Sequence, residues 1–317
     1  MCSSPRNVYI DMGVNWCDTL DLYKLLPSHL RGHAGRSWDV YGFEASPLIQ
    51  AHAEECTLAL NAGLPLPVPP VPPTGSSAAL SRYISRYNCR NASSLERSRD
   101  KVHLAWLRCV YHALQPELAR LHENPRLDGT LLADRLRGAA SCPSTPITSR
   151  TAMAEHDRYR LMPAAVGAAN GTVELYGGRE QLLRGGLLGH PNLAAQSWER
   201  VGREAKQRVP VVDVAAWMGS SFSRADFVVV KMDVEGAEHE IVPRLIALQA
   251  AALIDVFLWE CHPRGGRTKC HVHESALRAA GVGAIFREPL AGPGTHAWQL
   301  IFKRAERRRV RTGPAAA

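Results

Sequence analysis

Three charged residues, Lys231, Asp233 and Glu235, stand two apart where the apolar run Phe227 to Met232 ends, and Gly236 follows them. Residues two apart on a strand share a side, so the run delivers its charges together, and the glycine then lets the chain turn. Charge at the carboxyl end of a buried strand points to a ligand site, because the loops there leave a crevice between strand ends and helix N-termini. A second group follows the run Ile254 to Trp259, namely Glu260, Cys261 and His262. An imidazole titrates near pH 6.5, so His262 is able to accept a proton at neutral pH. Cys261, His262, Cys270, His271 and His273 contain no Cys-x-x-Cys pair, and no metal site is expected from them.

The elements that position these groups begin at the N-terminus. Val8-Tyr9-Ile10 leads into Asp11-Met12-Gly13-Val14-Asn15-Trp16-Cys17-Asp18-Thr19, after which Leu20, Leu22, Leu25 and Leu26 suggest a helix. A dinucleotide turn, G-x-G-x-x-G, needs its second glycine to bring backbone against a pyrophosphate. Asn15 stands at that position and Trp16-Cys17-Asp18 at the third, which disfavours nicotinamide and flavin dinucleotides. Trp38 to Phe43 reads as a second strand ending at Glu44, placed for a carboxylate that accepts hydrogen bonds from two ribose hydroxyls. Together with Asp11, Gly13 and Asn15 it suits a nucleoside-type ligand lacking a pyrophosphate.

These residues carry a resemblance. The Asp-x-Gly-x-Asn turn with an acidic-Thr helix start (Asp11, Gly13, Asn15, Asp18, Thr19), the Phe43-Glu44 pair, and above all Lys-x-Asp-x-Glu-Gly-x-Glu (Lys231, Asp233, Glu235, Gly236, Glu238) resemble the FkbM family of S-adenosylmethionine-dependent methyltransferases. The resemblance covers residues 7–50 and 158–304, with Arg160 to Tyr176 similar to the family's third strand and following hairpin and Val209 to Trp217 to the segment before strand four. Cys17 stands where the family usually has a glycine. Pro243 falls in a family helix and predicts that the helix restarts there, where proline is tolerated at a first turn.

The resemblance implies an α/β, Rossmann-like class I methyltransferase fold, a mostly parallel seven-stranded sheet with an antiparallel last strand. A hairpin of Ala284 to Glu288 and His296 to Lys303 would insert that strand. It implies S-adenosyl-L-methionine as cofactor, bound by Asp11, Gly13, Asn15, Asp18, Glu44 and Asp233, and methylation of an oxygen on a small-molecule or glycan-like acceptor. Methyl transfer needs a group that takes the acceptor's proton. His262 is assigned that part, with Asp233 positioning donor or acceptor and Glu235 pairing with Lys231 to fix the turn. Two alternatives stay open: a non-catalytic scaffold on the same fold, and a nucleotide-dependent oxidoreductase.

Between strands two and three lies an insertion. The chain divides into a first methyltransferase segment (1–62), a linker and helical insertion (63–150), a second methyltransferase segment (151–304) and a basic, disordered tail (305–317). LPLPVPPVPP, Leu64 to Pro73, reads as an extended, stiff linker. Ser93 and Glu96 then form a capping box ahead of a helix whose apolar stripe includes Val102, Trp106, Val110 and Leu114.

Of the net charge of +8, the run Lys303 to Arg311 supplies +5, so no specific nucleic-acid surface is expected. No apolar run reaches the roughly 20 residues of a membrane span. Eight cysteines without a regular framework suit reduced structural thiols, and an apolar strand close behind Met1 leaves no room for a signal peptide, so the cytoplasm is the expected compartment. Asn170-Gly171 reads as a hairpin turn.

Overall fold

The computed structural model describes residues 5–17, 19–67, 134, 156–175, 207–262, 268–287 and 295–312. The Pro-rich linker beyond residue 67, the capping box, the helical stripe of the insertion, and Asp18 lie outside them.

The chain begins with β1 (Asn7–Met12), short 3-10 turns at Leu22–Leu25 and Ser28–Leu30, β2 (Trp38–Phe43) and α1 (Pro47–Asn61). After the insertion come β3 (Arg158–Met162), β4 (Ala165–Gly167), β5 (Gly171–Leu175), β6 (Gln207–Asp213) and α2 (Val214–Ser221). Then follow β7 (Phe227–Met232), α3 (Glu238–Ala247), β8 (Val256–Trp259), α4 (Thr268–Ala279), β9 (Ala284–Arg287) and α5 (Thr295–Thr312).

The main sheet has six strands in the order β3-β2-β1-β7-β8-β9, and every pairing in it is parallel. β1, β2, β7 and β8 are buried along almost their whole length, which is why they read as near-continuous apolar runs. Their side chains alternate between two cores. Val8, Ile10, Met12, Val230 and Phe257 pack with Trp217 and Met218 of α2 and Ile241 and Leu245 of α3, whereas Tyr9, Val40, Val229 and Leu258 pack with Cys56 of α1 and Trp298 and Phe302 of α5. The result is an α/β/α sandwich consistent with a Rossmann-like methyltransferase fold. A small second sheet has the order β4-β6-β5.

Several expectations are corrected. The six-stranded sheet is parallel throughout, and the segment expected as an antiparallel seventh strand is α5. Its Trp298 and Phe302, four apart, are buried on one helical face, a period of burial that a strand does not produce. The basic run Lys303 to Arg311 belongs to the same helix, and residues 313–317 lie outside the described residues. The leucines after the first turn form only the 3-10 turn Leu22–Leu25, with Pro27 close behind. α3 does not restart at Pro243 but runs through it from Glu238, so the missing amide costs one bond beyond the helix's first, unpaired turn. Asn170 does not turn a hairpin between β4 and β5, because β6 lies between them; its Oδ1 instead accepts from the Asp213 amide at 2.7 Å. The expectation of reduced thiols fails for the described cysteines, which pair as Cys17–Cys56 and Cys261–Cys270. No helix among the described residues is long and apolar enough to cross a membrane.

Candidate functional site

The parallel register sets Asp11 beside Lys231 on adjacent strands, on the face shared by Tyr9 and Val229. Lys231 is buried, and its Nζ donates to the Gly13 carbonyl at 2.6 Å and lies 3.3 Å from Asp11 and 3.8 Å from Asp233. Asp11 is itself fully buried and accepts from the Thr19 hydroxyl at 2.7 Å. These two residues form the floor under the first turn rather than a surface that a ligand touches. The expected pair of Lys231 with Glu235 is not formed. At the strand's end Lys231 faces Asp11 and Asp233, while Glu235 has already turned away in a left-handed conformation, φ 51°, towards His262.

Gly13 has φ 90°, and its amide and that of Val14 both donate to the Phe43 carbonyl at 3.0 Å. A Cβ on Gly13 would collide with the carbonyl oxygen of Asp233, so the turn after β1 lies directly on the turn after β7. Above this contact a cleft opens, lined by Gly13, Asn15, Phe43, Glu44, Ala164, Val166, Asp233, Val234 and Glu235. Five expected site residues are thereby brought to one cavity, from three strand ends. Asp18 lies outside the described residues.

Glu44 does more than the sequence suggested. Its carboxylate accepts from the Asn15 amide at 2.9 Å and the Ser46 amide at 2.7 Å, which ties the first turn to the start of α1. Burial pushes its carboxyl up to about 7, against the lowering effect of those two amides and of Lys231. Each oxygen keeps a second lone pair for a ligand. Asn15 holds φ 51°, and its Oδ1 is buried without a hydrogen-bond partner, as is Oδ1 of Asp233.

On the other side of Glu235 stands His262. Its Nδ1 lies 2.7 Å from Oε1 of Glu238, and its Nε2 lies 3.5 Å from Glu235 and 3.8 Å from Glu260. Burial lowers the imidazolium, but the Glu238 hydrogen bond and the charges of Glu238, Glu235 and Asp233 outweigh it and hold His262 up at about 9. Burial, with Asp233 and Glu238, raises Glu260 against His262 and Lys231, and burial raises Glu235 although His262 opposes it. Sequence reading gave Glu238 no role of its own and Glu260 none beyond its place at the strand end. The signal for Glu238 was its place as the last member of the Lys-x-Asp-x-Glu-Gly-x-Glu segment, at the start of α3.

Two disulfides among the described residues flank this arrangement. Cys17 of the first turn is joined to Cys56 of α1, and Cys261, next to His262, is joined to Cys270 of α4.

Against known proteins, a family model described as the methyltransferase FkbM domain matches residues 142–276. Residues 142–276 are thus similar to a methyltransferase FkbM domain. The match to that domain takes in β7 with Lys231, Asp233 and Glu235, then α3 and His262; β1 and β2, with Gly13, Asn15 and Glu44, lie ahead of it and join it through the sheet. Searches of curated proteins and of solved structures find no match.

Methyltransferases of this family generally use S-adenosylmethionine, and the residues present fit it. Phe43, Ala164, Val166 and Val234 offer apolar walls to a base, and Glu44 offers lone pairs to ribose hydroxyls. The unsatisfied oxygens of Asn15 and Asp233 await donors such as the nucleoside's hydroxyls or an ammonium group.

Proposed function

We propose that the protein transfers a methyl group from S-adenosylmethionine to an oxygen of a small-molecule or glycan-like acceptor. The observation that carries this reading is the meeting of Gly13, Asn15, Glu44 and Asp233 around one cleft, with a histidine and carboxylates beyond Glu235 at its far side. The donor supplies an electrophilic methyl group on a sulfonium.

The chain's own residues divide the remaining work. Glu44 holds the ribose hydroxyls, and Gly13 and Asn15 shape the turn that the nucleoside lies against. Asp11 and Lys231 keep that turn in place from below, and Asp18 is kept as a donor-binding residue from its match to the family's acidic-Thr helix start. Asp233 positions donor or acceptor between the two halves. His262 takes the acceptor's proton at Nε2, with Nδ1 anchored on Glu238 and Glu235 beside it. Held at about 9, His262 is mostly protonated in the free protein at neutral pH. Positive charge brought among Asp233, Glu235 and Glu260 offsets what holds it up and raises the neutral fraction that acts as base.

The test is kinetic. His262→Ala should lower turnover on the order of 10²- to 10⁴-fold with donor affinity retained. Near-normal turnover in that variant, with Asp233→Asn inactive, would move the base to Asp233. Isotopically labelled methyl donor incubated with cell extract, read by mass spectrometry, identifies the acceptor; donor that neither binds nor labels anything overturns the reading.

A further inference from the structure

One ligand atom each from Asp233, Glu235 and His262 lies within 4.8 Å of the others. Atoms coordinating one octahedral ion at about 2.1 Å stand roughly 3 to 4.2 Å apart, so side-chain adjustment alone would bring these three to bonding distance. Nε2 of His262 is the centre of the group, 3.5 Å from Glu235 and 3.8 Å from Glu260.

Behind the ring, Nδ1 is held by Glu238, which has no solvent exposure. A buried carboxylate on the far nitrogen of a histidine fixes the tautomer in which the near nitrogen, once a metal displaces its proton, offers its lone pair, and makes it a better ligand. The second oxygen of Glu238 is buried and has no hydrogen-bond partner, so its negative charge is not spread into other bonds. Four carboxylates thus surround one imidazole. Lys231, 3.8 Å from Asp233, makes its closer contacts with the Gly13 carbonyl and Asp11.

We infer that a divalent cation of the Mn²⁺ type binds between Asp233, Glu235 and His262, with Glu260 at its edge. Oxygen-rich ligation with one imidazole suits manganese, whereas zinc-type thiolate ligation is closed off because the adjacent Cys261 is in a disulfide. Asp233 and Glu235 line the cleft, and the side chains of Asp233, Glu235 and His262 keep 25%, 40% and 24% of their exposure, which leaves coordination positions open. On the methyl-transfer reading above, those positions take the acceptor's hydroxyl oxygen. The ion would make that hydroxyl more acidic, and with the ion bound the part of base given to His262 above would pass to Glu260, His262 serving as a ligand instead.

The experiment needs neither donor nor acceptor. Full-length protein treated with a chelator is titrated with MnCl₂ by calorimetry and by loss of the free-Mn²⁺ paramagnetic resonance signal. One ion per chain is expected, and Glu235→Gln or His262→Gln should weaken binding about tenfold or more, Glu238→Gln by roughly 10- to 100-fold. If Glu238→Gln fails to fold by circular dichroism, Glu260→Gln at the rim replaces it, with weaker binding again the expected result. No saturable binding by the parent protein, or unchanged affinity in the Glu235 and His262 variants, overturns the inference. Donor calorimetry on the same samples separates the two readings. Donor bound without manganese defeats this inference alone, and manganese bound without donor defeats methyl transfer alone.

Discussion

Nδ1 of His262 sits 2.7 Å from Oε1 of Glu238, a side chain with no solvent exposure. The contact crosses from the end of β8 to the first turn of α3. It decides which imidazole nitrogen faces Glu235 and Glu260, and it holds the ring's proton far above the ordinary range for histidine.

That shift has a stability consequence with a definite sign. The folded protein binds the His262 proton up to about pH 9, and the ordinary value is 6.5. The stabilisation is therefore complete below pH 6.5 and is lost as pH rises through 9, amounting to at most about 3 kcal/mol. Urea unfolding at steps between pH 6 and 10 should show this decline in the parent protein and a flatter profile in His262→Gln. Parallel profiles would remove the Glu238 contact as its cause.

Glu44→Ala should weaken donor binding on the order of tenfold or more, since a hydrogen bond to a charged group typically contributes about 1.5 to 3 kcal/mol. The same change leaves the Asn15 and Ser46 amides without their acceptor. Calorimetry gives the affinity and thermal unfolding the stability; an unchanged donor affinity would take Glu44 out of the site.

Gly13→Ala tests the contact between the two turns. The new methyl group would meet the Asp233 carbonyl, and φ 90° is strained for any side chain, so a loss of about 1 to 3 kcal/mol is expected together with impaired donor binding. A variant with parent-like melting temperature and affinity would show that the turns separate freely.

Lys231→Met removes the cation that neighbours a fully buried Asp11. Breaking a buried ion pair by removing one partner costs about 3 to 5 kcal/mol, and the double variant Lys231→Met with Asp11→Asn should recover part of it. A double-mutant cycle read by chemical unfolding checks this; strict additivity would mean that the two residues do not interact.

Much of the fold was legible because it rests on local patterns. β1, β2, β7 and β8 are near-continuous apolar runs ending in charge or glycine, and such runs have few alternatives to a buried parallel strand. The last helix was misread because Ala284 to Lys303 has strand-like apolar pairs around a glycine- and proline-bearing turn. Periodicity over so short a stretch does not separate a strand from a helix with Trp298 and Phe302 on one face.

By itself the sequence determined which residues end the strands, and so placed Gly13, Asn15, Glu44, Asp233 and Glu235 at one sheet edge. Only the tertiary structure decided what each does there. Lys231 turned from Glu235 to Asp11 because the β1–β7 register puts Asp11 alongside it. Glu238 reached His262, and Cys17 reached Cys56, because α3 and α1 pack back beside the strand ends they follow. Strand identity is carried by neighbouring residues, whereas partners, tautomers and proton affinities depend on atoms distant in sequence that only packing brings within a few ångströms.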